Sequence, residues 1–305
     1  MSKKKIYFMG LLANVDSSIL NVKLEHGFEI KTMSEQEGVK LISNMGFMIT
    51  LSEIYKKIFG RFHCLSENKS LYYIDNSFEC DIENFGDIPS EKAKFYKEYI
   101  ANYLSHVIRL MRLFKEGNIC IPQLFWFFSD NTTLKPFESF SVGWHVSSEL
   151  YTLENSEIPD LQKFIQNTKL PFKESFLQLA FENFELSYQT RIIGLSFLSL
   201  MISLETLLNP GDHELRYRIS RNTAVLLGED KGDSESIFSE LKDLYDKRSN
   251  LVHSGKTDIV KNEDLLKLRH YVRESIKEIS KIGENKNDLI DTLNSCGFGE
   301  RPLRK

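Results

Sequence analysis

The chain has 305 residues, 41% of them hydrophobic and 27% charged, with a formal net charge of -4. That length allows two cores of ordinary size, and that composition belongs to a globular protein rather than a disordered or fibrous one. The acidic balance excludes a broad basic face of the kind that coats duplex DNA, and leaves a local site for single-stranded nucleic acid open.

The opening stretch MSKKKIYFMGLLANV has a basic head and a short apolar run, the outline of a signal peptide. The run is brief and no A-x-A-like cleavage site follows, so it reads better as the first β-strand of a cytoplasmic protein. Up to about Cys80 the pattern favours short strands, with IYFMGLLA, ILNVKL and FEIKTM as candidates, and one helical piece over residues 34–43. A long amphipathic helix is expected over residues 90–116, opened by the capping signal P-S-E-K and closed by Gly117. Next, NICIPQLFWFFSD and FESFSVGWHVSSELYTL read as paired aromatic-rich strands around a turn at residues 130–133. Trp126, Phe127, Phe128 and Trp144 suggest a stacking platform for bases, but nothing basic is interleaved with them, and filling a sheet face is the better reading.

Beyond Pro171 the strand signal stops. Helices are expected over residues 173–188, 191–208, 215–227, 234–252 and 263–282, separated by the turn chemistry of NPGD and GEDKGD. The expected fold class is α+β: a mixed α/β region with antiparallel strands over residues 1–170, an all-α bundle over 171–285, and a C-terminal helix and tail over 286–305. The stretch IIGLSFLSLMISLETLL, residues 192–208, is shorter than the roughly 20 apolar residues a bilayer requires and contains Glu205, so it reads as a buried central helix. Cys64, Cys80, Cys120 and Cys296 include no C-x-x-C pair, which points away from structural zinc and from a disulfide framework. The motifs of P-loop hydrolases, zinc proteases and nucleophile-elbow hydrolases are missing, and no metal or cofactor is expected.

One residue breaks the helical pattern. On the helix over residues 234–252, Ile237, Phe238, Leu241, Leu244, Tyr245, Leu251 and Val252 fall on one arc, and Arg248 falls in the middle of it. A guanidinium turned inward cannot shed its proton and needs an anion or several acceptors. The helix over residues 191–208 carries a single acid, Glu205, among apolar neighbours, so these two helices are expected to pack with Glu205 against Arg248. Such a pair can serve simply to fix helix register. Asp246, Asn250 and His253 line up on another face, with His253 about 140° round from Arg248 and in the last turn, where the helix dipole favours a cation. A lone histidine there is more often a dipole partner than a catalyst.

R-S-N-L-V-H, residues 248–253, resembles the R-x4-6-H motif of the HEPN superfamily, helical bundles that often act as RNases. Together with FLSLMISLETLL (197–208), LRYRISRNTAVLL (215–227) and LYDKRSNLVHSG (244–255), it is similar to the ApeA-like HEPN domains of bacterial defence proteins. The resemblance implies a metal-independent endoribonuclease in which His253 moves a proton at the ribose 2′-hydroxyl or the leaving oxygen, Arg248 holds the scissile phosphate and Glu205 orients Arg248. It also implies a homodimer that brings two motifs together, RNA as partner, and a mixed N-terminal domain that senses an unidentified trigger or regulator. Family members most often place asparagine, aspartate or histidine directly after the arginine. Here that position is Ser249, with Asn250 one place later. Around the site Arg216, Arg218, Arg221, Lys247 and Lys256 add positive charge suited to RNA. Some HEPN domains only bind, so a non-catalytic, dimerising or nucleotide-binding scaffold is the alternative.

Overall fold

Alternating apolar residues in the first strand point to both faces of a sheet, and both are buried. In the computed structural model, which describes residues 3–34, 36–38, 70–81, 90–130, 133–141, 150–209, 211, 214–256 and 258–300, β1 (Lys3–Ala13) is the middle strand. Ile6, Phe8 and Leu12 face one side, while Met9, Leu11 and Ala13 are equally buried on the other. The strands β2 (Glu29–Ser34), β3 (Ser70–Asp81), β4 (Cys120–Asp130) and β5 (Thr133–Ser141) complete a five-stranded sheet in the order β2-β3-β1-β4-β5, antiparallel throughout. Pro122 and Pro136 sit where a ladder tolerates them: at the register shift between β1 and β4, and on the edge strand β5 beside a bulge.

The helix α1 (Ser90–Phe114) buries Ile100, Leu104, Val107, Ile108 and Met111 in the same core as Ile6, Phe8 and Trp126. Trp126 is 3% exposed and meets Phe8 edge-on at 5.2 Å, so it fills the sheet's core and offers no platform. The side chains of Phe127, Phe128 and Trp144 lie outside the described residues. Two expectations need correction. ILNVKL is no strand: residues Ser17–Asn21 form a 3-10 helix because the Asp16 carboxylate accepts the Ser18 amide at 2.9 Å and closes a turn before pairing can begin. The helix α2 (Ile158–Asn167), in a segment where no helix was foreseen, starts with Pro159 in its first turn and buries Ile158 and Leu161. Of the helix expected over residues 34–43, residues 36–38 are helical and most of the rest lies outside the described residues. Gly117 is required where it stands: φ is +139°, and a Cβ there would lie 2.5 Å from the Tyr151 Cα.

The chain divides into two compact units, Met1–Thr168 and Lys169–Lys305. The second is all helical: α3 (Ser175–Gln189), α4 (Ile193–Leu208), α5 (Leu215–Leu227), α6 (Lys231–Ser254), α7 (Asn262–Ile282) and α8 (Lys286–Ser295). The apolar α4 is its axis, packed on α3, α5, α6 and α7, and among the described residues no helix is long and apolar enough to cross a membrane. Its serines let helices approach closely, as where Ser203 donates to the Ala180 carbonyl of α3 at 2.7 Å. The sheet unit followed by this bundle makes the protein α+β.

Candidate functional site

Capping sets both ends of α6. The Asp230 carboxylate accepts the Asp233 amide, which starts the helix three residues before the apolar pattern does, and Gly255 at φ +67° ends it. Between these ends Ile237, Leu241, Leu244 and Leu251 face the bundle. Arg248 shares their arc and is half-buried, and its Nη2 lies 3.5 Å from Glu205 Oε1 of α4. This is an ion-pair contact longer than the roughly 3.2 Å of a good N–H···O bond. Glu205 Oε1 is itself buried with no hydrogen bond. The Arg248 side chain keeps 27% of its surface exposed, so it reaches solvent as well as Glu205.

Tyr245, one turn before Arg248, completes this group. Its ring centroid is 5.6 Å from the Arg248 Cζ, so the guanidinium has both a carboxylate and an aromatic ring as neighbours. Burial, then the Glu205 charge, push the Tyr245 phenol above its ordinary range, and Arg248 opposes them. Sequence reading placed Tyr245 on the apolar arc and missed this role. The signal available was its i, i+3 spacing from the arginine.

His253 is elsewhere on the helix. It is exposed in the last turn, about 140° round from Arg248 by helical geometry, and between them Val252, expected to face inward, is 49% exposed because the helix end runs past its cover. Within one chain, therefore, Arg248 and Glu205 come together and His253 does not join them. Ser249 is half-buried, and Asn250 is exposed, its carbonyl accepting the Ser254 hydroxyl.

The surrounding cations are largely engaged. Arg216 pairs with Asp246 across α5 and α6, and Arg218 lies 3.8 Å from Glu214, the residue that precedes α5. Lys247 Nζ meets Asp264 Oδ1 of α7 at 2.6 Å. Although burial pushes the Asp264 carboxyl up, the Lys247 ammonium and the Lys261 amide hold it below the ordinary carboxylate range. Arg221 does not face the site. Its guanidinium donates to the carbonyls of Leu293 and Cys296 and so clamps the end of α8. Lys256 is exposed just past α6. Among the described residues no group of three or more His, Cys, Asp or Glu side chains could hold a metal ion.

The apolar surface of the helical unit has its own pattern. Ile192, Ile193, Leu195 and Ile202 on and before α4, Leu179 and Leu186 on α3, and Val252 on α6 are each at least 40% exposed. Gly194 faces Leu251, so the start of α4 lies beside the end of α6 that carries His253. No protein-family model, no curated protein and no solved structure matches this chain.

Proposed function

We propose that the chain is a metal-independent endoribonuclease of HEPN type, a bacterial defence or toxin effector that works as a homodimer on RNA. The observation that carries this reading is Arg248: an arginine set among apolar residues, anchored to Glu205 at 3.5 Å, and still a quarter exposed. A guanidinium so oriented suits the scissile phosphate, whose charge grows as the neighbouring 2′-hydroxyl oxygen attacks phosphorus. In that step the O2′–P bond forms, the P–O5′ bond breaks, and a 2′,3′-cyclic phosphate and a free 5′-hydroxyl result. His253 takes the 2′ proton or delivers one to the leaving oxygen. RNA supplies its own nucleophile, so the step needs no metal ligands.

A second copy supplies what one chain lacks. The exposed aliphatic residues beside the His253 end of α6 suit a self-complementary contact that brings the Arg248 of one copy toward the His253 of another. The N-terminal sheet unit then serves to bind the trigger or regulator. The alternative, a scaffold that binds without cutting, is favoured by one observation: Arg216, Arg218 and Lys247 already face carboxylates, which weakens the local pull on phosphate.

The test uses the full chain with single-stranded RNA in excess EDTA. Cleavage to cyclic-phosphate ends, reduced at least about a hundredfold by both Arg248→Ala and His253→Ala with folding intact, is the expected result. Mixing the two inactive variants should restore part of the activity, because one composite site in each mixed dimer keeps both residues. Cleavage by His253→Ala at the wild-type rate overturns the nuclease reading, and no recovery on mixing overturns the shared site.

A further inference from the structure

The exposed apolar residues of the helical unit are aliphatic with one exception among the described residues, Tyr217, which is 52% exposed. Tyr217 stands on α5, and its ring meets Phe238 of α6 edge-on at 5.7 Å. Phe238 is braced in turn by Phe298 at 5.6 Å and by the Lys242 ammonium 5.1 Å from its ring centre. A tyrosine braced edge-on by a neighbouring ring, with half its surface in water, offers a ring that gives up little freedom when a flat ligand stacks on it. Arg216 and Arg218 flank it in sequence. They and Lys242 outnumber the two carboxylates that face them, Asp246 and Glu214.

Position on α6 gives this surface its meaning. Phe238, Lys242, Asp246, Ser249 and His253 recur at spacings of four, four, three and four, so they share one stripe of the helix. From Phe238 to His253 the rise is about 22 Å, the length of roughly six stacked nucleotides. We propose that Tyr217 is a base-stacking subsite for single-stranded RNA, holding a nucleotide about six positions from the phosphate at the His253 end. Lys242 on the stripe, with Arg216 held beside it by Asp246, contacts the backbone between. The proposal rests on the nuclease reading for what happens at the His253 end, but binding at Tyr217 stands or falls independently of cleavage.

The experiment measures fluorescence anisotropy of a 5′-labelled oligo(A) 12-mer and 3-mer with the full chain in EDTA, in a His253→Ala background so that no RNA is cut. Tyr217→Ala should weaken 12-mer binding about tenfold and leave the 3-mer unchanged, while Tyr217→Phe, which keeps the ring, binds as the parent does. Melting curves check that the variants are folded. Equal 12-mer affinity for the parent and Tyr217→Ala overturns the subsite, as does absence of measurable RNA binding. It is equally overturned if Tyr217→Ala instead dissociates a dimer without changing RNA affinity. Tyr217-dependent binding by a protein that never cleaves RNA supports the subsite and removes the nuclease reading.

Discussion

The two units treat polar groups in opposite ways. Among the described residues of the sheet unit the buried polar side chains are neutral amides, Asn14, Asn118 and Gln123, and charged pairs lie toward the surface, as with Lys31 and Asp75. In the helical unit Glu185, Arg269 and Arg273 are each no more than 3% exposed, and eight serines and threonines are also buried among its described residues. Arg269 stacks on the Tyr188 ring at 4.2 Å, and Arg273 donates to the Tyr188 hydroxyl at 3.2 Å. The sheet unit is thus held by apolar packing that tolerates exchange of similar shapes, whereas the helical unit is held by directional contacts that specify one arrangement. A fixed arrangement is what an oriented guanidinium at position 248 requires.

The contrast can be broken most sharply in the sheet unit. Phe8→Ala, which empties the centre of that core, should cost about 3–5 kcal/mol and lower the unit's melting temperature by roughly 10 °C. Phe8→Leu should cost less than half as much, as shape-tolerant packing demands. In the helical unit the rule reverses: Arg269→Ala should cost about 3 kcal/mol, and Arg269→Lys should recover little of it, because an ammonium has neither the flat face nor the fork of the guanidinium. Full recovery by lysine in thermal melts would mean that charge alone is needed there.

The smallest effect concerns pH. The Asp264 carboxyl is held below its ordinary range in the folded state, so it adds stability above the value it has when unfolded and loses that contribution as pH falls through its folded value. The pair with Lys247 is partly exposed, and its worth is under about 1 kcal/mol. Melting curves should show the wild type slightly more stable than Lys247→Met at neutral pH, with the gap closing on acidification below the ordinary carboxylate range. A gap that widens in acid would give the pair the wrong sign.

Local chemistry made much of the helical unit legible. The limits of α5 and α7 follow from turn residues and the 3.6-residue period, and the pairing of Glu205 with Arg248 from two isolated charges on apolar helices. Signals that were present but subtler were passed over. Pro159 in the first turn of α2 and the Asp16 cap of the 3-10 helix are readable only when capping signals outweigh β-propensity, whereas the run LYYI at the start of β3 carries β-propensity without alternation. Other features exist only in three dimensions. Arg221 stands on the same helix as Arg216 and Arg218, yet its guanidinium reaches residues more than 70 positions away. The edge-on contact of Tyr217 with Phe238 likewise spans two helices and a turn.

The place of β1 at the middle of the sheet has a cost during synthesis. Its two neighbours come late in the chain: Lys5 pairs with Glu79 on one side and with Ser129 on the other. A ribosome adding about 5–20 residues per second delivers the second partner roughly 6–25 s after the first strand emerges. For roughly the first 4–15 s, until Glu79 is made, a strand apolar on both faces has neither edge covered, and its second edge stays open for the rest of the interval, so folding of this unit is slow, dominated by distant pairings, and exposed to aggregation unless the nascent strand is shielded.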